Sequence, residues 1–119
     1  MNIEPLKPYK EERPWGYFLR FTANEISTVK IMSIKPNESL SLQTHEKRGE
    51  FWKIISGDGE ITIGEEIYEA KKNDEFFIPP QIKHRAKGKE NGLEFLEIAV
   101  GEYNEEDIKR IEDKYNRIK

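Results

Sequence analysis

Short stretches of alternating apolar and polar residues run along most of this chain, and Pro, Gly and Asn punctuate them at close intervals. Alternation with a period of two marks strands. It predicts strands over 17–22, 27–34, 39–44, 50–56, 60–63, 66–70, 75–78, 84–87 and 93–100. The connections, such as Lys35-Pro36-Asn37, Ser56-Gly57-Asp58-Gly59 and Lys71-Lys72-Asn73-Asp74, are turn strings too short to hold crossover helices,. A parallel α/β sheet is thereby excluded, and an all-β barrel or sandwich is predicted. The pattern changes at Asn104, where Glu105, Glu106 and Asp107 suit a helix N-terminus and Ile108, Ile111, Tyr115 and Ile118 fall at helical spacing,. A short C-terminal α-helix, packed on the outside of the barrel, is expected from about residue 104.

The chain has 119 residues, of which 36% are charged and 35% hydrophobic. A length of this order supports one domain and one core. The 20 Lys and Arg against 23 Asp and Glu leave a net charge of -3, which lacks the positive excess of nucleic-acid binders,. No apolar run approaches the length of a membrane span and the first residues do not read as a signal peptide, so a cytoplasmic protein is expected,. There is no cysteine. Any metal must therefore be held by nitrogen and oxygen ligands.

The chain contains 2 histidines, and where they fall narrows the chemistry. On the strand ending at His45, a period of two puts Ser41, Gln43 and His45 on one face and Leu40 and Leu42 on the other. On the next strand Glu50, Trp52 and Ile54 share a face. A carboxylate beside a buried aromatic ring is costly unless it is paired or metal-bound. His84 follows the turn Pro79-Pro80-Gln81. Together Gln43, His45, Glu50 and His84 offer a divalent cation two imidazole nitrogens, a carboxylate and an amide oxygen.

These residues resemble the two motifs of the cupin superfamily, and more narrowly the type II mannose-6-phosphate isomerase domain. The first motif reads QTHEKRGEFWKIISG over 43–57 and the second PPQIKH over 79–84. The strings RPWGYF (13–18), SLSLQTH (39–45), RGEFW (48–52), IPPQIKHR (78–85) and VGEYNEEDIKRIEDKY (100–115) are similar to that family's in the same order. The resemblance implies a double-stranded β-helix, or jelly-roll, barrel over 13–119 behind an N-terminal arm over 1–12. It also implies an isomerase half without the guanylyltransferase half of the bifunctional relatives, serving GDP-mannose and polysaccharide biosynthesis. The chain departs from the family where Glu46 and Lys47 replace two His, and where Asn37, Asn73 and Gln81 replace turn glycines and Gly88 an Asn.

The activity so implied is metal-dependent interconversion of mannose 6-phosphate and fructose 6-phosphate through a cis-enediol. It requires a divalent ion (zinc first, with manganese or cobalt as alternatives), a base and a phosphate anchor. Glu97, Lys53 and Lys83 are the candidate bases. Arg13, Arg48, Arg85 and Arg117, with Trp15 and Ser41, are the candidate substrate contacts, Arg13 and Trp15 forming a lip over the barrel mouth. Arg110 can reach over the same mouth. Two rival readings share this barrel: a non-catalytic metal- or sugar-binding cupin, and a sugar-nucleotide epimerase or ketoisomerase. The expected partner is a sugar phosphate, and a homodimer is expected by resemblance.

Overall fold

The computed structural model describes residues 3–112, and every regular element among them is a β-strand. The strands are β1 (Tyr9–Arg13), β2 (Gly16–Arg20), β3 (Ser27–Ile34), β4 (Leu42–Thr44), β5 (Arg48–Ile63), β6 (Glu66–Lys71), β7 (Glu75–Ile78), β8 (His84–Gly101) and β9 (Lys109–Glu112). All pairing is antiparallel. No helix among them is long and apolar enough to cross a membrane.

The long antiparallel pair β5 and β8 is the spine of the fold. At one end β7 and β3 extend the sheet on either side, and at the other end β6 and β4 do so, with β9 beyond β4. The stretches 50–56 and 60–63 are two parts of β5, and 84–87 and 93–100 are two parts of β8. Gly57 and Gly92, both with positive φ, meet where these parts join, and a Cβ on Gly57 would lie 2.1 Å from the Gly92 carbonyl oxygen. The string read as a turn is thus a bend within a continuous strand, marked by register shifts at Ile54/Ser56 and Gly57/Gly59,.

Strand parity sorts the side chains into two clusters. Trp52, Ile54, Ile61, Ile78, Ala86, Leu93 and Phe95 are buried inside the fold, each large apolar chain contributing roughly 1.5–3 kcal/mol,. On the opposite face of β5 and β8, Phe51, Ile98 and Val100 are covered by Ile3, Leu6, Phe21 and Phe77. The strands β1 and β2 form a separate two-stranded ribbon that exposes Tyr9, Trp15 and Tyr17.

The C-terminal helix is not present in the described residues. Asn104 does cap a turn, its Oδ1 accepting from the Glu106 amide at 2.9 Å, but the chain then extends as β9 and pairs with β4. The edge of β4 offers backbone partners that a single helical turn lacks, and the side chains change to a period of two. Ile108 and Arg110 turn into the fold while Ile111 is exposed. Tyr115, Arg117 and Ile118 lie outside the described residues.

The turns explain the replaced glycines. Asn37, Asn73 and Gln81 all adopt positive φ, at 63°, 77° and 70°. Asn tolerates this conformation, whereas Gln does so at a cost. Gln81→Gly is expected to stabilise the protein by about 0.5–1 kcal/mol, part of the relief being lost to the freer unfolded chain. Denaturant unfolding measures it, and an unchanged or lower midpoint would contradict strain at this turn.

A candidate metal centre and its cavity

Three strands bring together the polar groups that the sequence offered as metal donors. His45 follows β4, Glu50 lies early in β5, and His84 opens β8 with its Cα opposite Gln43. All three ionisable groups are buried, at 4%, 2% and 2% exposure. One ligand atom from each lies within 4.8 Å of the others, so together they can hold a metal ion.

The hydrogen bonds fix which atoms face inward. His45 Nδ1 donates to the Asp107 carbonyl at 2.6 Å, and His84 Nδ1 donates to the Ile82 carbonyl at 2.9 Å. A proton on Nδ1 leaves each Nε2 with a lone pair able to coordinate, although that of His45 is within 3.2 Å of Arg48 Nη2 and must give up that contact to do so,. Both Nε2 atoms face Glu50, at 3.2 Å from Oε2 and 3.7 Å from Oε1. Burial pushes both imidazole pKa values down, and the facing Glu50 offsets this only in part, so the rings are neutral at pH 7. Lone pairs thus converge on a carboxylate, and His84 Nε2 is buried with no hydrogen-bond partner. Acceptors facing acceptors call for a cation, and this donor set fits one.

Burial alone would raise the Glu50 pKa, but His84, His45 and Arg48 outweigh it and the net shift is downward. Arg48 contacts both Glu50 and His45. Its Nε donates to Glu50 Oε2 at 3.0 Å, Nη2 to His45 Nε2 at 3.2 Å and Nη1 to the Asn104 carbonyl at 3.2 Å. Its guanidinium carbon stands 4.6 Å from the Tyr103 ring centroid. Trp52 Nε1 donates to the other Glu50 oxygen at 3.1 Å.

A cavity of about 510 Å³, counting its open mouth, spreads from these groups and is lined also by Lys30, Gln43, Glu97, Glu105, Ile108 and Arg110. Gln43 Nε2 donates to Ser41 Oγ at 2.9 Å, which leaves its amide oxygen as the atom it can offer a cation. Glu97 lies opposite both Trp52 and Lys30 in register. Burial first, then the neighbouring Glu50 charge, pushes its pKa up to about 7, against the pull of Lys30 and Arg48.

The other sequence candidates stand elsewhere. Lys53 alternates with Trp52, so it turns outward and pairs with Glu75 at 3.0 Å. Lys83 pairs with Glu65 at 2.8 Å, and Arg85, alternating with His84, pairs with Glu112 at 3.3 Å. Arg13 and Trp15 form no lip over this chain's own cavity. Arg13 bonds to Glu11 on the ribbon, and Trp15 at the ribbon turn is 71% exposed. Arg117 lies outside the described residues.

Glu46 and Lys47, which stand where the family pattern has His, are exposed. Their amides donate to the Asp107 carboxylate at 2.9 and 3.0 Å. Side chains at these two positions point away from the centre, so their replacement leaves the buried donor set intact. Asp107 itself was missed as a site residue. Its place in an acidic run reads as helix N-terminal charge, and only β9 brings it against His45.

The chain matches the family described as Mannose-6-phosphate isomerase C-terminal over residues 6–113. It is 39% identical over 110 residues to the Xanthan biosynthesis protein XanB of Xanthomonas campestris, covering 91% of this chain and 24% of that protein. It is 35% identical to the mannose-1-phosphate guanylyltransferase ManC of Salmonella typhimurium, covering 89% of this chain and 22% of that protein. The chain thus spans about a quarter of the length of these relatives. A Klebsiella pneumoniae protein with a double-stranded beta-helix domain superposes with a TM-score of 0.64 at 19% identity, over 76% of this chain and 78% of that one. The fold is accordingly the cupin, or double-stranded β-helix, barrel.

Proposed function

Because the chain belongs to the Mannose-6-phosphate isomerase C-terminal family, we propose that it is a metal-dependent aldose-ketose isomerase interconverting mannose 6-phosphate and fructose 6-phosphate. The observation that carries this reading is one buried cavity holding both a cation-ready His45, Glu50 and His84 group and a second carboxyl, Glu97. Transfer of a proton between C1 and C2 needs a base and a stabiliser for the developing oxyanion, and these two groups can fill those roles.

His45 Nε2, His84 Nε2 and a Glu50 oxygen would hold the ion, with the Gln43 amide oxygen as a fourth donor. A divalent cation there supplies charge stabilisation for the oxyanion that develops at the sugar carbonyl, zinc being the first choice and manganese or cobalt the alternatives. Glu97 is the base: as carboxylate it takes the C2 proton of the aldose and as carboxylic acid it returns that proton to C1, while the proton of the C2 hydroxyl passes to O1, so that the aldehyde becomes a hydroxyl and C2 a carbonyl. In the metal-free protein burial and the Glu50 charge raise its pKa to about 7, so carboxylate and carboxylic acid are both accessible there near neutral pH,. Arg48 and Trp52 hold Glu50 ionised and in place. Asp107 and the Ile82 carbonyl set the tautomers of the two imidazoles.

The decisive assay incubates metal-reconstituted protein with fructose 6-phosphate and follows mannose 6-phosphate. Turnover is expected to disappear on chelation, to return with added metal, and to fall at least 100-fold in His84→Ala, which is also expected to lose its metal. Gln43→Ala should lose metal affinity more mildly. Absence of turnover with metal fully bound would overturn the isomerase in favour of a sugar-binding cupin. Turnover indifferent to chelation would reject the metal.

A further inference from the structure

The cavity has three cations on its lining, Lys30, Arg48 and Arg110, and two of them are already engaged. Each Arg48 nitrogen meets a protein acceptor, and its contacts with His45 and Glu50 put it against the metal-binding group itself. Lys30 stands 3.5 Å from Glu105 and 4.0 Å from Glu97, with Tyr103 beneath its ammonium. Arg110 differs. Its Nε is buried and has no hydrogen-bond partner among the described residues, which is unusual for a charged donor,.

The tail positions it. Asp107 fastens 104–108 to His45, Glu46 and Lys47, and β9 then pairs with β4 so that Arg110 lies opposite Gln43. Arg110 is therefore one strand, about 4.8 Å, farther out than the strand that carries Gln43. In an open-chain hexose 6-phosphate the reacting C1–C2 end and the phosphate are separated by four carbons and the ester oxygen. A phosphate anchor must share the cavity with the metal-binding group yet stand off from it, and a guanidinium fork matches phosphate oxygens.

We propose that Arg110 is the phosphate anchor of this cavity, its unpartnered Nε–H and terminal nitrogens donating to the phosphate of the substrate. This rests on the sugar-phosphate reading above and assigns the role sought in Arg13, Arg48, Arg85 and Arg117 to a residue of β9.

The test titrates inorganic phosphate into the protein, both zinc-loaded and metal-free, by calorimetry. The metal-free arm excludes phosphate held by zinc alone. Wild-type protein and Arg20→Gln, a ribbon control outside the cavity, are expected to bind alike in both arms. Arg110→Gln should bind at least tenfold more weakly in both, with zinc stoichiometry and circular dichroism unchanged. Arg110→Lys, which keeps charge but not the fork, should fall between them. Equal binding by Arg110→Gln and wild type, or binding only in the zinc-loaded arm, overturns the proposal. An inactive protein whose phosphate binding still depends on Arg110 would sink the isomerase while leaving the anchor standing.

Discussion

Replacing Glu50 by Gln is expected to unmake the centre and to cost about 3–5 kcal/mol of stability in the metal-free protein. The substitution is nearly isosteric, so the effect is electrical. One Glu50 oxygen accepts from Trp52 Nε1 at 3.1 Å and the other from Arg48 Nε at 3.0 Å. An amide has a single acceptor oxygen, and whichever way it is turned its NH₂ group faces a donor. Arg48, only 6% exposed, also loses its counter-charge. Zinc affinity should drop at least 100-fold, because the one anionic member of the donor set has gone, and isomerase turnover with it. Guanidinium unfolding and a zinc titration measure the two effects. A Glu50→Gln protein within 1 kcal/mol of its parent would show that the Arg48–Glu50 pair does not hold the site, a threshold well below the cost of breaking a buried pair.

Glu97→Gln is expected to separate catalysis from stability by moving them in opposite directions. Loss of the base should lower kcat by about 10²–10⁴-fold. The same change should stabilise the metal-free protein at alkaline pH. The folded pKa of Glu97, about 7, lies above its ordinary value of 4.5. The favourable contribution of the protonated group is complete below pH 4.5 and is lost as pH rises through 7. Glutamine does not titrate, so its stability relative to wild type should improve by about 2–3 kcal/mol between pH 4.5 and 8. His45 and His84 have the opposite dependence. Their folded pKa values lie below the ordinary 6.5, so the stability they confer is present above pH 6.5 and falls as pH drops below it. Both proteins share that loss, and it cancels in the difference. Denaturant midpoints for both proteins from pH 4.5 to 8 give the curve. A flat difference would mean that Glu97 is not buried against Glu50, and with it would go the case for its role as base.

Alternation in the sequence was enough to predict an all-β fold and to put Gln43 with His45, and Glu50 with Trp52, each on one face of a strand, while the family resemblance marked the turns at Asn37, Asn73 and Gln81. These properties depend on the period of a strand and on the φ preferences of single residues, which are local. Continuity of β5 and β8 was not legible, because a Gly-rich bend looks like a turn until Gly57 and Gly92 are seen back to back. Nor was the fate of the tail. Its apolar spacing fits a helix, and the free edge of β4, whose Leu42, Gln43 and Thr44 pair with Glu112, Arg110 and Lys109, turns it into a strand. That pairing brings Asp107 to His45 and Arg110 to the cavity. It also separates the charges that matter from those that do not. Lys53, Lys83 and Arg85 resemble Glu97 in sequence, but parity turns them outward to surface partners, while Glu97 shares the buried face with Trp52 and Phe95. The candidate donor set was thus picked out by residue type and strand period. The tautomers, the raised Glu97 pKa and the buried, unpartnered Nε of Arg110 among the described residues came only from tertiary structure, since each depends on burial and on partners distant in the chain.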